Sequence, residues 1–362
     1  MNNLNLTNEA LPILGLEKSI LEEKIIDFGL PKFRASQIWN WVWRHGAKNI
    51  WEMKNINFET KKILNSKFCL NRPSISKKLI SNDGTVKWLL ELSDNSKIET
   101  VYIPEEKRGT LCISSQVGCT LNCSFCYTGT QKVVRNLSAD EICGQLLLAL
   151  DELKDWPTTQ LNRKITNIVF MGMGEPLFNY DEVKKAIKIF TSNEGIGISK
   201  KKITLSTSGV IPFIEKCGNE LDVNLAISLH AVNDTLRNVL VPINKKYNLE
   251  SLIKSIKNYP SLSNSRRITW EYVMLDGVND NESDAKCLLN LIKDIPSKIN
   301  LIPFNPWPGS NYKSSSEEQI QKFAKIIMNA GYASPVRYPR GQDILAACGQ
   351  LRSDTTRKRV SH

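Results

Sequence analysis

The segment Gly118-Cys-Thr-Leu-Asn-Cys-Ser-Phe-Cys126 contains three cysteines at the spacing C-x3-C-x2-C. Three thiolates from one short loop can hold three irons of a 4Fe–4S cluster and leave the fourth iron without a protein ligand. The alternatives are a zinc knuckle and three unrelated core cysteines. Structural zinc takes four ligands, and none of the chain's three histidines lies near this loop. The spacing therefore favours a cluster whose open iron binds a small molecule.

The cysteine spacing resembles the signature of the radical-SAM superfamily, in which the open iron binds S-adenosylmethionine (SAM). A second motif, MGMGEP at 171–176, follows the apolar run TNIVF and fits the same ligand. Its glycines permit close approach of the backbone to a ligand, and Glu175 offers a carboxylate to which an ammonium group can donate. The alternative is an ordinary turn with a solvated glutamate, which the position after a predicted strand disfavours.

Apolar strand-like runs alternate with helical runs from about Gly109 onward. The strand-like runs are TLCISSQ, TNIVFMG, KITLSTSG, NLAISLH, RITWEYVML and KINLIPF. Six strand–helix units predict a parallel sheet, open or curled into a partial barrel, and such folds bind ligands at the carboxyl ends of their strands. Because Ser206, Ser228, His230 and Asn305 lie where predicted strands end, we expect them in one shared site.

The chain is predicted to divide into four segments. One of them, residues 76–104, contains two strands around a turn at 93–96, with Glu99 on the later strand. The segments are residues 1–75, a helical accessory domain that binds RNA; residues 76–104, a β-hairpin extension; residues 105–340, the α/β core; and residues 341–362, a C-terminal segment with Cys348 and a basic tail.

The composition indicates a nucleic-acid partner. The net charge is +11, and the stretch 24–78 carries twelve Lys and Arg against three acidic residues. The alternative is an enzyme that is basic overall but does not bind nucleic acid, and the clustering of Lys and Arg in one stretch disfavours it. The sequence shows no apolar run of about eighteen residues and no secretory signal, so no membrane partner is expected. Nine cysteines without a disulfide pattern fit a reducing cytoplasm.

Several long motifs together resemble the RlmN-type methyltransferases over nearly the whole chain. These are GCTLNCSFCYTGTQK, MGMGEPL, STSGV, AISLHA, VPINKKYN, LIPFNPWPG and DILAACGQL, in that order. The resemblance implies a partial (β/α)6 TIM-like radical-SAM barrel with a small N-terminal helical domain and a β-hairpin extension. It also implies methylation of adenine C2 in the peptidyl-transferase region of 23S rRNA and just 3′ of a tRNA anticodon. The implied cofactors are one 4Fe–4S cluster and two SAM molecules per turnover, with an electron donor such as a flavodoxin system. We expect a cytoplasmic monomer.

The resemblance also assigns roles to residues, and no position departs from the family's pattern. The cluster ligands would be Cys119, Cys123 and Cys126. The SAM contacts would be Gly174, Glu175, Ser206, Ser228, Leu229, His230 and Asn305. The catalytic residues would be Cys348 as the methyl-carrying cysteine, Cys112 as its disulfide partner and Glu99 as the acceptor of the C2 proton. Taken singly, Cys112 and Cys348 are ordinary structural thiols.

Three other functions remain open at this point. The Cfr-type branch methylates adenine C8 and shares the cluster and both extra cysteines, although MGMGEP, STSG and LIPFNPWPG look like the C2 branch. A radical-SAM activase that makes a glycyl radical on a partner protein needs neither Cys348 nor a basic domain. A non-catalytic Fe–S or zinc RNA-binding module would not cleave SAM.

Overall fold

The computed structural model describes residues 10–158, 163–260, 262–353 and 355. The chain forms two compact units. The first unit contains Met1–Pro73, Ser138–Lys164 and Lys184–Ile198, and the second contains Ser74–Leu137, Ile165–Val183 and Ser199–His362. These two units are defined only by how compactly their residues pack, and the division into four segments that the sequence suggests stays a prediction.

The secondary structure alternates between strands and helices over most of the chain. The strands are β1 (Leu11–Pro12), β2 (Phe68–Cys69), β3 (Ser74–Ile80), β4 (Val86–Glu91), β5 (Lys97–Glu105), β6 (Arg108–Cys112), β7 (Gln116–Val117), β8 (Arg135–Asn136), β9 (Asn167–Phe170), β10 (Ile203–Thr207), β11 (Asn224–Ser228), β12 (Ile268–Met274) and β13 (Ser297–Pro303). The helices are α1 (Lys18–Asp27), α2 (Phe33–Trp43), α3 (Phe58–Lys67), α4 (Ala139–Glu152), α5 (Tyr180–Thr191), α6 (Ile211–Glu220), α7 (Asp234–Leu240), α8 (Leu249–Lys257), α9 (Glu282–Leu291) and α10 (Glu317–Asn329).

The first unit is mostly helical, and both α4 and α2 bury one side or more in its core. Trp39 and Trp43 of α2 are fully buried. Gly46 has a φ of +71° just after α2, and a Cβ at this position would meet the ring of Trp156 at 2.4 Å. Glycine is therefore needed where the chain leaves the helix.

The second unit is built on one nine-stranded sheet with the order β13-β12-β11-β10-β9-β6-β5-β4-β3. The six strands from β6 and β9 to β13 are parallel, and they correspond to the six strand-like runs in the sequence. Every residue of β12 is buried, as expected for a parallel strand covered on both faces. The predicted α/β core with parallel strands is confirmed.

The antiparallel strands β5, β4 and β3 extend the sheet beyond β6. The predicted hairpin is β4 and β5, and Asn95 adopts a φ of +64° in its turn. The strand β3 was not predicted, because its sequence SISKKLI mixes polar and apolar residues without alternation and is exposed along nearly its whole length. A polar edge strand has no apolar alternation by which it could be recognised. None of the described helices is long and apolar enough to cross a membrane.

Candidate active site

One pocket of the second unit lies at the carboxyl ends of the parallel strands. About 1030 Å³ of its space is not filled by atoms, and part of this space is open to solvent. Most of the predicted site residues line it: Cys119, Cys123, Cys126, Gly174, Glu175, Ser206, Ser228, His230, Asn305 and Cys348. The other three, Glu99, Cys112 and Leu229, are not among its lining residues. The sheet therefore brings together motifs that are far apart in the sequence, as expected for strand ends.

The cysteine loop, residues 118–126, follows the short strand β7. Turn hydrogen bonds shape it, since the amide of Cys126 donates to the carbonyl of Cys123 at 3.1 Å and the amide of Cys119 donates to Gln131 at 3.1 Å. Burial raises the pKa of Cys119 to about 12 and that of Cys123 well above its ordinary value. A bound metal lowers the cost of such thiolates because it supplies positive charge.

Three observations test whether these residues fit a cluster with SAM. No three His, Cys, Asp or Glu side chains in the described part of the chain are gathered tightly enough to hold a metal ion as they stand, and the three cysteines meet only as pocket lining. The amide of Leu121 donates to Cys119 Sγ at 3.4 Å, a contact that suits a thiolate ligand. The side-chain oxygen of Asn305 is buried without a hydrogen-bond partner among the described residues. A polar ligand in the pocket would satisfy this oxygen.

The GEP turn presents its glutamate from a buried position. Both carboxylate oxygens of Glu175 accept backbone hydrogen bonds, from Leu177 at 3.1 Å and from Ser208 at 2.8 Å. Burial raises the pKa of Glu175 to about 7. A positively charged ammonium group bound at this carboxylate would lower that pKa again and favour the charged form. Gly174 has a φ of +103°, and a Cβ there would lie 2.6 Å from Gln116. Only glycine fits this close contact.

A buried arginine that no motif marks joins two of the strand ends. Arg237 is fully buried and donates to the carbonyls of Ser208 at 2.8 Å, Ser228 at 3.0 Å and Leu229 at 3.0 Å. It also lowers the pKa of Cys123 through its charge, against the larger effect of burial. Arg237 therefore fixes the ends of β10 and β11 and adds positive charge near the cysteine loop.

The end of β11 continues into a strained histidine. His230 has a φ of +61°, and its Nδ1 accepts from the amide of Val273 at 3.1 Å. Burial lowers the pKa of His230 to about 3, so the ring is neutral near pH 7. The side chain of Leu229 is fully buried, its amide donates to the carbonyl of Glu271 at 3.0 Å and its carbonyl accepts from Arg237, so contact of Leu229 with a ligand stays a prediction.

A buried carboxylate on β12 also lines the pocket and was not predicted. Glu271 lies beside Ser228 and Asn300 in the register of the parallel strands, and Asn300 donates to its Oε1 at 2.8 Å. Burial raises the pKa of Glu271. Glu271 could not be recognised from the sequence because it lies within the largely apolar run WEYVM. The register of the two strands places the side chains of Glu271 and Ser228 on one face of the sheet.

The residues around Cys348 are held by Tyr127, which directly follows the cysteine loop, and by the turn after β13. Asn305 donates from its side-chain amide to the carbonyl of Cys348 at 3.1 Å, and the amide of Tyr127 donates to the carbonyl of Gly349 at 2.7 Å. Cys348 is exposed as a residue, but desolvation of its thiol by the surrounding protein raises the pKa of that thiol. Negative charge at Glu271 and then at Cys112 raises it further.

Cys112 and Glu99 lie on the sheet next to this segment. Cys112 ends β6 as a free, half-buried thiol, and burial raises its pKa to about 12. Glu99 is buried on β5 and forms an ion pair with Lys87, whose Nζ lies 2.9 Å from Glu99 Oε1. No sequence motif marks Lys87.

The chain matches known proteins over nearly its whole length. Residues 113–285 match the radical-SAM superfamily, and residues 11–70 match the N-terminal domain of the ribosomal RNA large subunit methyltransferases. A solved structure of a radical SAM methyltransferase from Sphaerobacter thermophilus has a TM-score of 0.89 and 39% identity, and the match covers 94% of this chain and 99% of that one. The fold and the site therefore define a radical-SAM methyltransferase.

Curated relatives narrow this class further. The dual-specificity RNA methyltransferase RlmN of Bradyrhizobium sp. (strain BTAi1 / ATCC BAA-1182) is 55% identical, over 95% of this chain and 88% of that protein. The protein of the same name from Rhodopseudomonas palustris (strain BisB5) is also 55% identical, over 96% of this chain and 91% of that protein. The chain belongs to the RlmN family of radical-SAM RNA methyltransferases. It is therefore an enzyme that uses a 4Fe–4S cluster and SAM, with two SAM molecules per turnover.

Proposed function

We propose that this enzyme methylates C2 of an adenine in 23S rRNA and in tRNA through a methyl group carried on Cys348. The observation that supports the proposal most is that Cys348 and the three cysteines of the cysteine loop line one pocket. A methyl group on Cys348 would therefore lie in the same space as bound SAM. The names of the relatives, which specify dual-specificity RNA methyltransferases, support the two kinds of RNA.

The cluster would be held by Cys119, Cys123 and Cys126, and when bound it supplies the electron for reductive cleavage of SAM. Glu175 would accept hydrogen bonds from the ammonium group of SAM. The remaining contacts suit hydroxyl groups and a base, because they offer small polar groups on a largely apolar wall. They are Gly174, Ser206, Ser228, the backbone of Leu229, His230 and Asn305.

Adenine C2 needs a carbon radical because it lies between two ring nitrogens and has no lone pair to attack a methyl group. In the proposed sequence, the thiol of Cys348 loses its proton and its sulfur takes the methyl group of the first SAM. This methyl group would lose one hydrogen atom to the 5′-deoxyadenosyl group that reductive cleavage of the second SAM supplies, and the resulting methylene radical on Cys348 adds to C2 and links the protein to the RNA.

Two further residues complete the sequence. Glu99 takes the C2 proton, which is far more acidic in the adduct than in adenine. Cys112 then bonds to the sulfur of Cys348 while the bond from that sulfur to the transferred methylene carbon breaks. The carbon takes the proton that the Cys112 thiol gives up, and the remaining unpaired electron would pass to the cluster, so that a disulfide forms and the methylated RNA leaves. An outside reductant, for which we propose a flavodoxin-type system, restores the two thiols.

The RNA surface is proposed to include the basic stretch 24–78. Its charge would bind phosphates without regard to base sequence, while the pocket selects the adenine. The target base must leave its stack to reach the pocket. We further propose that the enzyme acts in the cytoplasm as a monomer.

The proposal is tested by mass spectrometry of nucleosides. The anaerobically reconstituted enzyme is incubated with SAM, dithionite and either rRNA or tRNA that lacks the modification. We expect 2-methyladenosine from both RNAs with the wild type and with Cys287→Ala, which removes an exposed cysteine outside the site. Cys126→Ala should give none. The appearance of 8-methyladenosine instead would contradict the C2 assignment.

A further inference from the structure

A buried ion pair on the hairpin extension holds both ends of one irregular loop. The pair joins Lys87 of β4 and Glu99 of β5, which are diagonal neighbours in the antiparallel register and are only 7% and 5% exposed. The loop is the Cys348 loop, defined as residues 345–352. Lys87 Nζ donates to the carbonyl of Leu345 at 2.9 Å, and the amide of Arg352 donates to Glu99 Oε2 at 2.8 Å.

These contacts are notable because a buried ion pair is costly unless further hydrogen bonds satisfy its atoms. Here one partner of the pair bonds the loop three residues before Cys348, and the other bonds it four residues after. The loop has one turn of its own, in which the amide of Gln350 donates to the carbonyl of Ala347 at 3.0 Å, but Leu345 has a φ of +52°, which is unfavourable for a leucine. A left-handed Leu345 requires outside contacts to keep it in place.

The sheet register shows which face of the sheet the Cys348 loop covers. Val101 of β5 lies directly opposite Lys87 on one side and directly opposite Cys112 on the other. Residues opposite each other in a sheet project from the same face, so Lys87, Val101 and Cys112 share one face. Glu99 shares it too, because it lies two residues from Val101. The pair therefore fixes the Cys348 loop over the face that carries Cys112.

We propose that Lys87 is a positioning residue that acts together with Glu99 to hold Cys348 within reach of both the SAM pocket and Cys112. The inference rests on the proposed function, because only a methyl carrier that is later released by a disulfide needs both positions. Glu99 then has a second role beside proton transfer, as the anchor of Arg352. During release of the RNA the disulfide forms as the bond between the Cys348 sulfur and the methylene carbon breaks; without RNA, the two thiols can instead lose two electrons and two protons to a disulfide oxidant such as oxidised dithiothreitol.

The test measures this disulfide directly, without RNA or SAM. The cluster-loaded enzyme is equilibrated anaerobically with mixtures of oxidised and reduced dithiothreitol, and the Cys112–Cys348 disulfide is quantified by peptide mass spectrometry after alkylation. We expect Lys87→Met to lower the equilibrium constant for disulfide formation at least tenfold. Lys87→Arg should restore most of it, because it keeps the charge and the donors. Lys97→Met, which removes a half-exposed lysine on the same hairpin, is the matched control and should leave it unchanged.

Hydrogen exchange gives a second, independent measurement. Deuterium uptake in the peptide that contains residues 345–353 should rise in Lys87→Met and not in Lys97→Met. If Lys87→Met does not fold, the double variant Lys87→Met/Glu99→Leu removes both charges and leaves no unpaired buried ion, and it should show the same two effects. Unchanged redox equilibrium and unchanged exchange in the folded variants would overturn the proposal. If the wild type forms no such disulfide, the proposed function fails on that point, and exchange alone decides the role of Lys87.

Discussion

The side-chain amide of Asn305 donates a hydrogen bond to the backbone carbonyl of Cys348 at 3.1 Å. A residue predicted to contact SAM therefore also holds the residue predicted to carry the methyl group. The other side-chain atom of Asn305, its oxygen, is buried and has no hydrogen-bond partner among the described residues. One amide can thus couple the position of Cys348 to the presence of a ligand.

This coupling predicts that Asn305→Ala weakens two functions together. We expect SAM affinity to fall about tenfold, which corresponds to about 1.4 kcal/mol, because one hydrogen bond to the ligand is lost. Methylation of Cys348 by SAM should also slow. Equilibrium dialysis and intact-protein mass spectrometry measure the two effects, with Asn329→Ala on the exposed end of α10 as the control. Loss of SAM binding with normal methylation of Cys348 would contradict the coupling.

Replacing Cys112 should stop the reaction after RNA attachment. In Cys112→Ala the Cys348 radical can still add to the adenine, but no second thiol is present to release it. We expect a covalent enzyme–RNA complex that survives denaturing gel electrophoresis. Cys287→Ala is the control, since it also removes one thiol and should give free methylated RNA. Recovery of free, unmodified RNA without a complex from Cys112→Ala would count against its role.

Arg237 should be essential for stability as well as for the site. Its removal leaves the carbonyls of Ser208, Ser228 and Leu229 without their buried donor, so Arg237→Met should lower the free energy of unfolding by about 3–5 kcal/mol. Anaerobic urea unfolding measures this difference. Arg267→Met removes an exposed arginine with one local hydrogen bond and should change stability by less than about 0.5 kcal/mol. Equal losses in the two variants would refute the assignment.

His230 should make the protein sensitive to acid. The folded state lowers its pKa to about 3 from an ordinary value of 6.5, so the unfolded chain binds this proton first as the pH falls. The stabilisation is complete above pH 6.5 and is lost progressively towards pH 3, by at most about 1.4 kcal/mol per pH unit. Thermal unfolding at pH 7 and pH 5 should show a smaller acid loss in His230→Asn, because asparagine tolerates the positive φ and does not titrate. His45→Asn should behave like the wild type.

RNA binding should depend steeply on salt. If the stretch 24–78 contacts about five phosphates, the logarithm of the association constant should fall with the logarithm of salt concentration at a slope of about −3.5 to −4.5. Lys62→Ala/Lys67→Ala on α3 should reduce this slope by about one to two. Lys254→Ala/Lys257→Ala on α8 removes another exposed pair and should leave it unchanged. Binding that does not respond to salt would show that this stretch is only a solvated surface.

The sequence was sufficient for the parallel strands and for the residues at their ends. Short motifs such as GEP and the cysteine loop combine glycines, carboxylates and thiols at strand ends, where ligands bind, and the topology brings them together. Contacts that depend on long-range packing could not be predicted. Arg237 reaches carbonyls on two strands, and Lys87 reaches a carbonyl more than two hundred residues away. A buried lysine on a strand has no sequence pattern that distinguishes it from an exposed one.

Glu271 and the strand β3 are two further features that could not be predicted from the local sequence. Glu271 lies inside an apolar strand, where a single acidic residue looks like an interruption of the pattern until the neighbouring strands are aligned. The strand β3 carries polar residues on both faces, so its pairing with β4 decides its conformation. In both cases the pairing with a neighbouring strand decides the structure, and the local sequence does not.

The row of Lys87, Val101 and Cys112 across three strands limits how this part of the gene can change. Side chains on a strand alternate between faces, so inserting or deleting one residue within β4, β5 or the end of β6 would turn Glu99 or Cys112 to the opposite side. Changes in length are tolerable only in the turns, such as the one that contains Asn95. Homologous enzymes that share the chemistry should therefore keep the strand lengths constant here while their turns vary in size.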